Sequence, residues 1–263
     1  MILYLFLAHL GIGIACALAF VSRQAGVKFF RFNAGLVAIL IAVAMAFRPA
    51  DETMTFADPD FIALAVTEAA VLLYWATVGR TLAAIRPVIA GTAIVGGVVT
   101  LVLQALAAAS GHAVAAQALT IASFVSSSAM LGGACTAMIL GHWYLVLPSM
   151  EISHLQTIVK VHIGSMVVRI AVVAAAVFFA IATWQPGLGP SFRHYILTVS
   201  GVFFWQRVLF GLGAPALLSY LTWETAKIRS TQSATGILYV DFFTVVVGEV
   251  LAKYVFLATR VPV

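Results

Sequence analysis

The chain has 263 residues, of which 63% are hydrophobic and 9% charged, with a formal net charge of +5 and a mean hydropathy of +1.10. A soluble domain carries roughly 25% charged residues, so water is not the main solvent here and no separate soluble domain fits between the apolar runs. The basic residues are scattered over short loops without a cluster, which argues against a nucleic-acid partner and leaves membrane topology as their explanation.

A bilayer core about 30 Å thick takes roughly 20 apolar residues per helical crossing. The apolar runs predict eight such helices, over 2–22, 33–48, 62–79, 88–109, 114–141, 154–183, 195–221 and 234–258. The expected fold is therefore all-α, a polytopic membrane protein forming a single transmembrane domain over 1–263. Barrel strands are excluded because the runs are too long and too uniformly apolar. The first run lacks a basic leader and a small-residue cleavage site before Arg23, so it reads as a retained helix rather than a secretory signal. Cys16 and Cys135, the only two cysteines, fall inside apolar runs and do not suggest a disulfide framework.

Between the first and second helices lie Arg23, Lys28 and Arg31; between the second and third, Asp51, Glu52, Asp58 and Asp60; between the third and fourth, Arg80 and Arg86. Lys160, Lys227 and Arg229 continue the alternation. Basic loops favour the cytoplasmic face, which predicts both termini outside the cytoplasm and an inner, plasma-membrane location. Ser153 and Gln156 have capping-box spacing, which predicts that the sixth helix starts near His154 after a break at Pro148. Trp143, Tyr144, Trp184 and Trp223 sit at predicted span ends, where amphipathic rings prefer the headgroup layer. Trp184 through Pro190 is turn chemistry, and no internal repeat aligns the polar residues of the two halves.

Ionisable side chains inside hydrocarbon are costly and mark packed interiors or wet cavities. Glu68 lies in the third predicted helix, Arg169 in the sixth, Arg207 in the seventh, and Asp241, Glu249 and Lys253 in the eighth. His154, His162, Ser165 and Arg169 share one stripe of the sixth helix at 100° per residue. His142, in the run Gly141 to Leu145, comes to the same membrane side as His162, so these two imidazoles are expected to converge as a haem or metal pair. His9, His112 and His194 form a second layer towards the opposite face. Two layers of histidine, with Arg169 and Arg207 available to propionates, are what a b-type haem protein requires. The bland alternative is that histidines collect at helix ends because they cost least there.

Glu249 and Lys253 have the i,i+4 spacing of a local ion pair near the outer surface. Asp241 has no such neighbour and is expected to be protonated, hydrated or paired with Arg169 or Arg207, with Glu68 a competing acid. Asp241 and Glu68 are thus candidates for proton transfer or quinone binding, against the plainer role of a packing ion pair. Ser126, Ser127 and Ser128 with Gly132 and Gly133 most simply allow close helix packing. The polar stretch from Trp223 to Ser233 reads as a solvated connector, with docking of a peripheral subunit as the alternative. No phosphate loop, dinucleotide fingerprint, HExxH, CxxC or CxxCH is present.

The general plan resembles the small polytopic anchor subunits of respiratory complexes, a likeness of architecture alone. The leading expectation is an inner-membrane subunit of an electron-transfer assembly that holds b-type haem or quinone and works with partner protein subunits. The alternatives are a proton- or ion-coupled transporter lined by Glu68, Arg169, Arg207 and Asp241, and a cofactor-free scaffold. The transporter reading asks for interrupted helices, for which Gly96, Gly97 and the stretch Gly211 to Pro215 are the candidates.

Overall fold

A computed structural model describes residues 1–49, 57–147, 150–185 and 191–263. Asp51 and Glu52, Pro148, and the turn residues Pro186 to Pro190 lie outside the described residues. Among those described, the secondary structure is entirely helical: α1 Ile2–Ala17, α2 Gly26–Ala46, α3 Pro59–Thr77, α4 Arg86–Ala108, α5 Val114–Val146, α6 Ile152–Ala182, α7 Phe192–Leu197, α8 Val202–Val208, α9 Ala214–Lys227 and α10 Thr231–Thr259. Eight helical segments are long and apolar enough to cross a bilayer, the seventh being Val199–Lys227. This is the architecture of a multi-pass membrane protein.

The segments alternate in direction. Trp143 Nε1 donates to the Ala25 carbonyl, His154 meets Gln24 and Gln156 reaches the Ala226 carbonyl, so the ends bearing Arg23, Arg86 and Lys227 gather on one side of the bundle. Met1, Asp60, Gln104, His112 and Arg260 line one hollow at the other end. Both termini are on that second side. The loop charges split accordingly into a basic end and an end where Arg48 pairs with Asp58 at 2.6 Å and approaches Asp60 at 3.7 Å.

Helix six begins at Ile152, two residues before His154, with Glu151 as its N-cap and no side-chain cap. Ser153 turns back to the Glu151 carboxylate instead of closing a box with Gln156. The α5–α6 corner is held instead by Tyr144, whose hydroxyl donates to the Glu151 carbonyl and accepts from the Leu155 amide. Helix four runs through Gly96 and Gly97 without a break. The seventh segment is interrupted: a π-turn, Leu209–Gly213, joins α8 to α9. Pro215 explains it, because a proline lacks the amide hydrogen and crowds the carbonyl one turn back, and a widened turn relieves both.

Helices α1, α5 and α10 form the middle of the bundle, with α2, α3 and α4 on one side and α6, α8 and α9 on the other. Two crossings bring backbone against backbone. A Cβ on Gly132 would overlap the backbone of Gly13, and one on Gly248 would overlap that of Gly211. Small residues let helices approach where lipid offers no hydrophobic drive to associate, and Ser128 adds a hydroxyl bond of 2.8 Å to the His9 carbonyl at the first crossing. Gly132→Val should therefore destabilise the fold by about 2 kcal/mol or more through overpacking. Gly91→Ala, where a Cβ meets nothing within 4 Å, should be neutral or slightly stabilising. Thermal unfolding in detergent checks the pair, and equal effects would contradict the crossing.

Candidate functional site

At the junction of α5, α6, α8 and α10, Glu249 is fully buried and surrounded by cations. Arg169 Nε and Nη2 donate to its two oxygens at 2.9 and 3.2 Å, and Arg207 Nη2 donates to Oε1 at 2.9 Å. Lys253 Nζ lies 3.5 Å from Oε2 and donates to Ser127 Oγ at 2.6 Å, while that hydroxyl donates to Glu249 Oε2, also at 2.6 Å. The remaining donors of Arg169 are taken by the Ser123 hydroxyl, the Ser123 carbonyl and the Val263 carbonyl. The last contact forms because Arg260 adopts a left-handed conformation, φ 61°, that ends α10 and turns residues 261–263 back into the bundle.

The geometry follows from the two close crossings. Arg207 lies along Gly211, where any Cβ would collide with its guanidinium, and Gly248 beside Glu249 lets the π-turn come near enough for Arg207 to reach the carboxylate. Glu249 and Lys253, expected as an isolated local pair near the surface, instead form one edge of a four-helix network. Three cations face one carboxylate, and Arg207 Nε and Nη1 are buried with no hydrogen-bond partner among the described residues.

A line of polar side chains joins this network to the end of the bundle bearing Asp60. Tyr4 donates to Asp60 at 3.3 Å and accepts from Gln104 Nε2 at 3.0 Å. Gln104 and His9 make no hydrogen bond to each other among the described residues: Gln104 Oε1 and His9 Nε2 are both buried without a partner. His9 Nδ1 is 3.5 Å from Ser127 Oγ, which bonds Glu249. Tyr4, His9, Gln104 and Ser127 are all buried.

Deeper towards the basic end, His162 Nε2 stands 2.8 Å from Asp241 Oδ2, both fully buried. The pair is at ion-pair distance without hydrogen-bond alignment, and neither the Asp241 oxygens nor the ring nitrogens have a hydrogen-bond partner among the described residues. Gly133 packs against His162, and the buried Thr136, one turn further along α5, also has an unpartnered hydroxyl. Asp241 therefore meets an imidazole from α6, not Arg169 or Arg207. On α10, Asp241 and Glu249 are about 12 Å apart at a rise of about 1.5 Å per residue. Leu131, Met166 and Val245, buried members of one apolar core, occupy the interval on α5, α6 and α10.

His142 and His162 do not come together. His142 is exposed and its Nδ1 is 3.1 Å from the Tyr239 hydroxyl, whereas the α5 residue against His162 is Gly133, about 13 Å back along that helix. His112 contacts the Ser110 carbonyl, and His194 is exposed at the start of α7, where Ser191 caps its amide. The described imidazoles are thus placed singly, each beside a group other than a second imidazole. Glu68 lies apart from the network, buried on α3 with an unpartnered Oε2. Sequence reasoning missed Tyr4, Gln104 and the role of Ser127, because uncharged polar residues near helix ends carry no signal of their partners.

No protein-family model and no curated protein sequence matches the chain. Glu249→Gln and Arg169→Met should each cost about 3–5 kcal/mol, since either leaves buried charge uncompensated. Their double variant should cost less than the two combined, by about 0.5–3 kcal/mol. Additive effects in a double-mutant cycle of unfolding would contradict the contact.

Proposed function

We propose that the chain is a proton-conducting membrane subunit, the proton-coupled alternative among the sequence readings. The observation that carries this is the line Asp60, Tyr4, Gln104, His9, Ser127 and Glu249, within 3.5 Å at every step except that from Gln104 to His9, which runs from one end of the bundle to a buried carboxylate. Each member is a hydroxyl, amide, imidazole or carboxylate, the groups that pass or hold protons. A scaffold needs none of them, since buried polar groups cost stability unless paired. The basic loops orient the Asp60 end outward.

In this reading the bundle has two stations. The outer station is Glu249 with Arg169, Arg207 and Lys253, where a proton arriving through Ser127 meets an excess of positive charge. The inner station is His162 with Asp241, whose unused oxygens and ring nitrogen accept and release a proton without breaking a satisfied bond. The apolar collar of Leu131, Met166 and Val245 separates them, so transfer across it needs a side-chain movement or transient water. That separation keeps the two faces from being short-circuited. A haem-carrying subunit has less support, because its candidate ligands stand singly.

Proteoliposomes carrying a pH-sensitive dye test the proposal. A proton flux above that of empty vesicles is expected under an imposed membrane potential, with Asp241→Asn abolishing it and Tyr4→Phe reducing it by about tenfold or more, as loss of a positioned proton-transfer group does. Both variants keep side-chain shape, and correct folding is checked by elution volume and unfolding temperature. Flux that is absent in the wild type, or unchanged in Asp241→Asn, would overturn the reading.

A further inference from the structure

Away from the charge network, α1 to α4 leave a cleft at the basic end. Its deeper part, of about 280 Å³, is walled almost wholly by apolar side chains including Val37, Val71 and Ile94. Its outer part, of about 350 Å³, shares Leu18, Phe30, Tyr74 and Pro87 with the first and opens between Arg23 and Arg86. The two are one amphipathic hollow, each part of a size at which small-molecule sites begin. Both guanidiniums lie close enough to act on the Tyr74 phenol, and no acidic residue lines either part.

The arginines differ in their commitments. Arg86 donates to the Thr77 and Thr81 carbonyls and keeps a buried Nε without a partner. Arg23 has no side-chain partner among the described residues. Two cations facing one opening with no carboxylate to balance them favour an anion, and the apolar floor beneath them favours hydrocarbon. Arg86 starts α4 and Arg23 stands just before α2, so both cationic groups lie at helix ends on the basic side of the bundle.

We infer that this cleft binds one anionic phospholipid, its phosphate between Arg23 and Arg86 and an acyl chain against Val37, Val71 and Ile94. A neutral amphiphile such as a quinone gains less from the paired guanidiniums than a phosphate does, since its carbonyls offer no charge, and a free inorganic anion gains nothing from the floor. The site is independent of the proton path: it shares no residue with the line from Asp60 to Glu249. It makes the α1–α4 half of the bundle sensitive to the charge of the leaflet at the basic end.

Native mass spectrometry of the detergent-purified full chain, titrated with phosphatidylglycerol or with phosphatidylcholine of the same acyl chains, tests the inference. One phosphatidylglycerol should be retained in preference to phosphatidylcholine. Arg23→Gln should weaken it by about fivefold, the contribution of one basic residue beside an anionic lipid. Gly91→Leu should remove it, because Gly91 lines the cleft and an added Cβ there meets nothing within 4 Å, so the larger side chain extends into the cleft. An unchanged unfolding temperature for Gly91→Leu confirms that the loss is local. Equal retention of the two lipids by the wild type, or full retention by Gly91→Leu, would overturn the site, as would a quinone displacing phosphatidylglycerol from it.

Discussion

The structure depends on holding one carboxylate, Glu249, inside a membrane-spanning bundle. An isolated ion in a medium of low dielectric is unfavourable by far more than a protein's whole stability, so Glu249 exists as a charge only because Arg169, Arg207 and Lys253 surround it. The converse also holds, since none of those cations is tolerable there without the acid. Other features serve this arrangement. The Gly211–Gly248 contact brings Arg207 within reach, the π-turn accommodates Pro215 next to it, and the Gly13–Gly132 crossing draws α1 close enough for His9 to meet Ser127. A buried ion pair adds little net stability compared with apolar packing. Stability alone therefore does not explain why four helices converge on this group.

The architecture was legible from hydropathy because lipid leaves a spanning backbone only one inexpensive solution, and the eight predicted spans correspond to the eight membrane-length segments. Arg169, Arg207 and Asp241 were legible as unusual because a charge within an apolar run is rare. Their partners were not. The spacing of Glu249 and Lys253 shows their own i,i+4 relation but carries no information about Arg169, which lies on another helix. His162 was placed on the correct face of α6, yet its level against α5 depends on where α6 starts. Tyr144 fixes that start through the Glu151 carbonyl, which no spacing rule shows, and Gly133 rather than His142 then faces His162. The break in the seventh segment did carry a signal in Gly211, Gly213 and Pro215. So did the small residues of the first and fifth helices, whose Gly13, Ser128 and Gly132 make the central crossing.

The two acid sites differ in how completely their oxygens are satisfied. Glu249 accepts from Ser127, Arg169 and Arg207 with Lys253 3.5 Å away, whereas Asp241 faces one imidazole and its oxygens have no hydrogen-bond partner among the described residues. A saturated carboxylate is held in place, whereas Asp241 has acceptor positions with no partner among the described residues. The apolar interval between them means that neither site communicates with the other through a fixed hydrogen-bond chain.

Infrared difference spectroscopy of the purified protein, wild type against Glu249→Gln, reads the ionisation of that side chain directly. The account requires the difference at neutral pH to be a lost carboxylate band, because three cations hold the group charged. Loss of a protonated carboxyl stretch in its place would mean that Glu249 is neutral in the bundle, and the network built around its charge would not stand.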